Sequence, residues 1–237
     1  MREENIQRLS GTQVSKNAID YIVLYYLIND LRSVISRYAS GCILDVGCGN
    51  KPYESLFTSN TESYTGCDVV QSSENKVDVI CKATELAYAA DKFDTLFSTQ
   101  VMEHVDNSDL MMQECNRVLK PGGVLIVSVP LCWELHEEPY DFFRFTKYGL
   151  KELCDRNNFD VLEIIPNGGK WAAIFQMNLN MIYSTFKNRT FFVKILKGLF
   201  INLRLTALIN SIAIRIDKKY YDPLLTLNYV LVARKKK

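Results

Sequence analysis

The chain has 237 residues, of which 48% are hydrophobic, and its formal net charge is +1. This length and apolar content suffice to bury a full core, so we expect a single domain across residues 1–237. A near-neutral chain has no overall electrostatic attraction to nucleic acid, which argues against a nucleic-acid partner.

Seven cysteines occur without a C-x-x-C spacing, mostly inside or beside apolar runs. Small buried hydrophobes follow this pattern, and disulfide frameworks do not, so we expect a reducing, cytoplasmic location. The start of the chain has no apolar segment behind basic residues, which argues against a secretory signal. Residues 18–28 are apolar, but they fall short of the roughly 20 residues of a spanning helix. We therefore predict an ordinary helix there, within an N-terminal helical extension at residues 1–40.

From residue 41 onward, short apolar runs alternate with helical patterns and turn signals. This alternation is typical of βαβ units and predicts an α/β fold with a doubly wound, mostly parallel sheet. The predicted strands are residues 42–46, 63–67, 77–81, 93–98, 124–129, 161–165 and a last one within 225–235. The predicted helices are residues 53–58, 108–119 and 146–157, with a turn at the "KPGG" of residues 120–123.

Residues 167–223 interrupt this alternation and predict a helical insertion of two helices joined near residues 187–190. If residues 191–219 form one helix, its polar and basic residues share about a third of the circumference. These residues are Lys194, Lys197, Arg204, Ser211, Arg215, Lys218 and Lys219. A basic stripe on an apolar helix indicates peripheral contact with a membrane. A lid over the acceptor cleft, packing on the parent domain and a homodimer contact remain alternatives.

The stretch "DVGCGNKPYESL", residues 45–56, is the first strand-to-helix turn, where ligands bind in doubly wound folds. A dinucleotide requires G-x-G-x-x-G, but Pro52 stands where the third glycine would be and removes an amide. Asp45 would repel a pyrophosphate and could help to hold an ammonium group. S-adenosylmethionine has such an ammonium and no phosphate. Asp68, at the end of the second strand, is suitably placed for its ribose.

The chain resembles the class I S-adenosylmethionine-dependent methyltransferases, in particular the methyltransferase type 11 group. The resemblance rests on "ILDVGCGNKPY", "YTGCD", "FDTLFSTQVMEHV" and "RVLKPGGVLIVSVP", in this order. It implies a Rossmann-like, seven-stranded methyltransferase fold with S-adenosylmethionine as cofactor. It further implies that Asp45, Gly47 and Gly49 hold the methionyl end, that Asp68 binds the ribose hydroxyls, and that Thr99 and Gln100 line the methyl donor. Further cofactor-binding positions are Cys48, Val69 and Ala83.

The chain departs from the family pattern where many members carry Gly-Asp-Ala for the adenine amino group. This sequence has Cys81, Lys82 and Ala83 there, and a lysine side chain cannot accept the hydrogen bond. We expect the backbone around Ala83, or a neighbour such as Glu85, to bind the adenine.

His104 and His136, the only two histidines of the sequence, follow predicted strands at the same edge of the sheet. The sulfonium of the cofactor is already activated, so a hydroxyl acceptor requires mainly alignment and one base. We predict that His136 or His104 is this base. His136 lies in "LHEEPYDFFRFT", residues 135–146, which we call the HEEP loop and predict to bind the acceptor. One histidine without a second in the same loop is a poor metal signature, so we expect no metal.

The predicted function is transfer of a methyl group, preferably to oxygen, of a small-molecule, sugar or lipid-linked acceptor. "STQV" stands where enzymes that methylate bases or amides carry an Asn/Asp-Pro-Pro-Tyr motif. A cofactor-binding or scaffold protein without turnover is one alternative. A nicotinamide-dependent oxidoreductase is another, disfavoured by the missing third glycine.

Overall fold

The structure is a computed structural model that describes residues 9–57, 60–186 and 191–237. Seven strands and six α-helices lie within these residues. The strands are β1 (Gly41–Val46), β2 (Thr61–Asp68), β3 (Val79–Ile80), β4 (Phe93–Thr99), β5 (Leu119–Pro130), β6 (Phe159–Asn167) and β7 (Asn228–Lys235). The helices are α1 (Tyr21–Tyr38), α2 (Ser108–Val118), α3 (Lys147–Arg156), α4 (Lys170–Thr185), α5 (Phe191–Asn202) and α6 (Leu205–Lys219).

The strands form one sheet in the order β3-β2-β1-β4-β5-β7-β6. The pairs β1–β2, β1–β4, β2–β3 and β4–β5 are parallel. Ile43 and Leu44 of β1 and Leu96 and Phe97 of β4 have no exposed surface, as expected for central strands covered on both faces. The predicted Rossmann-like fold is confirmed. β1 pairs with β2 on one side and with β4 on the other, so the order in which successive strands are added to the sheet reverses at β1.

The chain divides into two compact units. The first contains the described residues up to Thr12, together with Asp30–Ile165 and Tyr229–Lys237. The second contains Gln13–Asn29 and Pro166–Asn228, and thus includes the predicted insertion. None of the described helices has the length and apolar character needed to cross a membrane.

Two local predictions differ from the structure in the first unit. The predicted helix at 53–58 is a single 3₁₀ turn, Glu54–Leu56, and residue 58 lies outside the described residues. A segment this short, directly after a proline, forms i to i+3 hydrogen bonds more readily than an α-helix. The "KPGG" of residues 120–123 is not a separate turn but lies within β5. Leu119 pairs with Phe93 and Val124 with Thr95, so the residues between them bulge out of the ladder.

Within the predicted insertion, residues 167–223, the described residues form three helices instead of two, and residues 191–219 do not form one helix. The helix is interrupted between α5 and α6 at Arg204, whose φ of 51° is in the left-handed region. A left-handed residue cannot continue a right-handed helix. The prediction of one basic stripe along a single helix at 191–219 is therefore wrong. The predicted junction at 187–190 lies outside the described residues.

Candidate active site

The first loop begins where β1 ends, at the point where the sheet changes direction. Gly47 and Cys48 both donate their amides to the Cys67 carbonyl of β2, at 2.8 and 3.0 Å. Gly47 has φ 75°, and a Cβ atom there would lie 2.3 Å from Cγ2 of Val101, behind β4. Only glycine satisfies both conditions, so this position holds the loop close to both neighbouring strand ends.

Lys51 and Pro52 explain how the loop closes without a third glycine. Lys51 adopts φ 54°, and its amide donates to the Cys48 carbonyl at 2.8 Å. Its stem passes close to Gly66, and its ammonium group donates to Asp78 at 2.6 Å. A lysine side chain therefore bridges the first loop and the segment before β3.

Asp45 is buried at the end of β1 and accepts a hydrogen bond from the Tyr64 hydroxyl at 2.6 Å. Burial raises the pKa of this carboxyl group to about 7, partly offset by the Tyr64 hydrogen bond. Asp45 is therefore close to half ionised at neutral pH, and a nearby cation would favour the charged form.

Asp68 connects the first loop to the end of β2. One carboxylate oxygen accepts the Gly49 amide at 3.1 Å, and the other accepts the Val69 amide at 2.7 Å. A carboxylate accepts up to about four hydrogen bonds, so these amide contacts are compatible with additional contacts to ribose hydroxyls. Gly49, Asp68 and Val69, all predicted to bind the cofactor, thus lie together in the structure.

The predicted adenine segment lies beside Asp68, because the Cys81 amide donates to the Asp68 carbonyl at 3.0 Å. Lys82 and Glu85 form an isolated antiparallel bridge that encloses Ala83. Cys81, Lys82 and Glu85 also line a shallow, open depression of the surface. Glu85, the alternative acceptor considered from the sequence, is exposed there.

Thr99 and Gln100 lie at the end of β4, beside the first loop. The Gln100 side chain donates to the Ser128 hydroxyl of β5 at 3.1 Å. Gln100 has φ 54°, which turns the chain sharply away from the strand. The following 3₁₀ turn, Met102–His104, starts at this bend.

His104 and His136, predicted from separate segments, stack edge to face with ring centroids 4.7 Å apart. The HEEP loop is tied to the 3₁₀ turn because the Phe142 and Phe143 amides donate to the Glu103 carbonyl at 2.8 and 3.3 Å. The structure therefore brings both candidate bases to one place at the edge of the sheet.

Arg144 and Asp141 hold the HEEP loop in shape. Arg144 forms a bidentate ion pair with Asp141 at 2.6 and 2.8 Å, and also donates to the Trp133 and Glu134 carbonyls. This pairing keeps the pKa of the Asp141 carboxyl group well below its usual range. Asp141 in turn accepts the His136 amide at 2.9 Å and lies 3.3 Å from Nδ1 of His136.

Glu103 is a site residue that sequence reasoning did not identify. Its side chain is completely buried, and burial raises the pKa of its carboxyl group to about 8. In the sequence it is a single acidic residue after a strand, a position where most acids are exposed. The only feature of the sequence that could have identified Glu103 as a site residue is its position next to His104.

Comparison with known proteins agrees with this geometry. Residues 44–127 match the family model described as "Methyltransferase domain". A ubiquinone biosynthesis O-methyltransferase of Mesorhizobium japonicum is 33% identical over 98 residues. That match covers 36% of this chain and 39% of the relative, so the chain is matched to about two fifths of the relative's length.

Solved structures share the fold at low sequence identity. The [4+2]-cyclase SpnF superposes with a TM-score of 0.60 at 18% identity, covering 98% of this chain and 87% of that one. The 1,6-didemethyltoxoflavin-N1-methyltransferase of Burkholderia thailandensis, solved with its substrate and S-adenosylhomocysteine, has a TM-score of 0.56 at 15% identity. Its match covers 89% of this chain and 78% of that chain.

The family match and the fold together support a class I S-adenosylmethionine-dependent methyltransferase of the methyltransferase type 11 group. The sequence resemblance is thereby confirmed, and S-adenosylmethionine is supported as the cofactor. The roles of the individual site residues stay predictions.

Proposed function

We propose that this protein transfers the methyl group of S-adenosylmethionine to an oxygen atom of a small-molecule acceptor. The observation that carries the cofactor assignment is the Asp68 carboxylate, which accepts the Gly49 amide across two adjacent strand ends. This contact holds a buried acid beside a glycine loop at the sheet position where such folds bind ligands. The loop that closes on Lys51 favours a ligand without phosphate.

In the proposed reaction, the acceptor oxygen attacks the methyl carbon in line with the sulfonium. The carbon–sulfur bond breaks, an oxygen–carbon bond forms, and S-adenosylhomocysteine leaves. His136 or His104 removes the hydroxyl proton. The arginine-held HEEP loop aligns the acceptor, and alignment of two reactants is the main task left for the protein.

Oxygen as the nucleophile is supported by two observations. The curated relative in Mesorhizobium japonicum is an O-methyltransferase of ubiquinone biosynthesis. The two adjacent histidines supply the base that a hydroxyl acceptor needs and that a neutral amine acceptor needs less. A hydroxylated aromatic or quinone-like compound is therefore the first acceptor class to test, followed by sugars and lipid-linked acceptors.

Calorimetry with S-adenosylhomocysteine tests the cofactor site. We expect Asp68→Ala to weaken binding by about 1 to 3 kcal/mol, because a charge-assisted hydrogen bond to the ribose is lost. Asp160→Ala, an exposed acid on β6, is the matched control and should bind like the wild type. Unchanged affinity in Asp68→Ala would remove that residue from the site, and tight NADH binding instead would overturn the proposal.

Turnover is tested separately, by mass spectrometry of S-adenosylhomocysteine released from S-adenosylmethionine with candidate acceptors. Cofactor binding without turnover on any acceptor class would favour a cofactor-binding or scaffold protein. The shared fold of the [4+2]-cyclase SpnF makes this separate test necessary, since the fold alone does not specify methyl transfer.

A further inference from the structure

Glu103 is buried beside two histidines without the partners that a buried carboxylate requires. Its exposed fraction is 0%, and neither carboxylate oxygen has a hydrogen-bond partner among the residues that the structure describes. A buried carboxylate without a partner is strongly unfavourable, so such a group stays protonated, pairs with a cation or binds a metal ion.

The histidines face this carboxylate at short range. Nε2 of His104 lies 3.9 Å from Oε1 of Glu103. One ligand atom from each of Glu103, His104 and His136 lies within 4.8 Å of the other two. Three different donors from two separate chain segments therefore converge on one point.

Nδ1 of each imidazole ring has an acceptor in contact. Nδ1 of His104 lies 2.8 Å from the Tyr140 carbonyl, and Nδ1 of His136 lies 3.3 Å from the Asp141 carboxylate. Metal-binding histidines are almost always oriented in this way, with one nitrogen donating to a carbonyl or carboxylate and the other facing the ion. The bidentate pair of Arg144 with Asp141 fixes the second of these acceptors.

We propose that Glu103, His104 and His136 bind a divalent first-row transition metal ion. Two imidazoles and one carboxylate are a common ligand set for zinc or ferrous sites that keep open positions for water or substrate. Metal–ligand bonds of about 2.0 to 2.2 Å place ligand atoms roughly 3 to 3.5 Å apart, so the cluster closes by about 1 Å on binding. His136, on the half-exposed HEEP loop, supplies this movement.

The site would give the acceptor oxygen a place to bind, and this role rests on the proposed function. An acceptor hydroxyl in an open position of the ion would lose its proton more readily, because a divalent cation stabilises the alkoxide or phenolate. With the ion bound, the ion would activate the hydroxyl in place of the imidazoles, because a ligating ring nitrogen cannot accept a proton. Metal binding itself does not depend on that role. The sequence alone predicts no metal here, because the spatial neighbours of His136 are distant from it in the chain.

Binding of Co²⁺ to the purified full-length chain, followed by visible absorption and calorimetry, tests the site. We expect stoichiometric binding with ligand-field bands and without thiolate-to-cobalt charge transfer, which separates this site from the free cysteines. His136→Ala and Glu103→Gln should each weaken Co²⁺ binding more than about 100-fold. Loss of a residue that only hydrogen-bonds to a metal ligand typically weakens binding by roughly 10- to 100-fold. Asp141→Asn should fall within that smaller range.

Glu134→Gln, at an exposed position directly before the same loop, is the matched control and should bind Co²⁺ like the wild type. S-adenosylhomocysteine binding to every variant checks that it is folded. Absent Co²⁺ binding, a thiolate band, or unchanged affinity in both His136→Ala and Glu103→Gln would overturn the metal site. Binding of S-adenosylhomocysteine without binding of Co²⁺ would overturn the metal site and leave the proposed function intact. Binding of Co²⁺ without binding of S-adenosylhomocysteine would support the metal site and contradict the proposed function.

Discussion

Asp45 illustrates how burial at one residue can make cofactor binding depend on pH. Its pKa of about 7 means that the carboxyl group is mostly protonated at pH 6 and mostly ionised at pH 8. If the cofactor ammonium lies beside it, binding favours the ionised form, so affinity should rise by about tenfold across that interval.

This prediction is checked by calorimetry with S-adenosylhomocysteine at pH 6, 7 and 8. Asp45→Asn cannot ionise and should show no such rise, while Asp160→Asn should keep the wild-type slope. An identical pH dependence in Asp45→Asn would mean that another group is responsible and that Asp45 has only a structural role.

The two histidines make a second prediction at the scale of single residues. If the acceptor is a hydroxyl, His136→Ala or His104→Ala should lower kcat by about 10²- to 10⁴-fold, because the proton acceptor is lost. Cofactor affinity should remain close to that of the wild type. Steady-state kinetics with an identified acceptor, together with calorimetry, measures both quantities.

Full activity in both histidine variants would show that neither is the base. Glu137, Glu138 and Asp141 of the HEEP loop would then be the next candidates, together with simple desolvation of the nucleophile. Glu134→Gln is the control for general disturbance of the loop and should retain full kcat.

At the scale of secondary structure, Asp217 caps a helix other than its own. This completely buried residue of α6 accepts the Gly169 and Ala172 amides at the start of α4, both at 3.0 Å, and the Tyr26 hydroxyl at 2.8 Å. Gly169 is the N-cap residue of α4 and has no side chain to satisfy these donors. Asp217 therefore performs, across the second unit, the task of an N-cap residue.

We expect Asp217→Ala to lower the free energy of unfolding of the second unit by about 2 to 4 kcal/mol, since several buried donors lose their acceptor. Urea unfolding followed by Trp171 fluorescence on a Trp133→Phe background reports on this unit. Ser211→Ala, on the exposed face of α6, should change stability by less than about 0.5 kcal/mol. An Asp217→Ala variant as stable as this control would contradict the assigned role.

At the scale of the whole molecule, the second unit exposes apolar side chains together with basic ones. Leu208 is 55% exposed and Ile195 is 46% exposed, while Lys194 and Lys197 of α5 are also exposed. The break at Arg204 rules out one continuous stripe, but α5 alone still carries both types of side chain. We therefore retain, as a proposal, peripheral binding of residues 191–219 to an anionic membrane surface.

Flotation with vesicles containing phosphatidylglycerol tests this proposal. We expect binding at low salt that falls as salt is raised, because screening weakens attraction through lysines. Lys194→Glu combined with Lys197→Glu should abolish flotation. The control replaces Lys147 and Lys151 of α3 by glutamate, the same double charge reversal, and should have little effect on flotation. Unbound protein at low salt would leave a lid or a homodimer contact as the role of the insertion.

The sequence by itself determined the α/β fold, the loop at the end of β1 and the position of Asp68, because these depend on local periodicity and fixed spacing. Tertiary structure decided the rest. Glu103, His104 and His136 form one cluster only because β4 and β5 are neighbours in the sheet, a pairing between distant segments. The cap supplied by Asp217 likewise depends on contacts between residues far apart in the chain, which local sequence patterns do not encode.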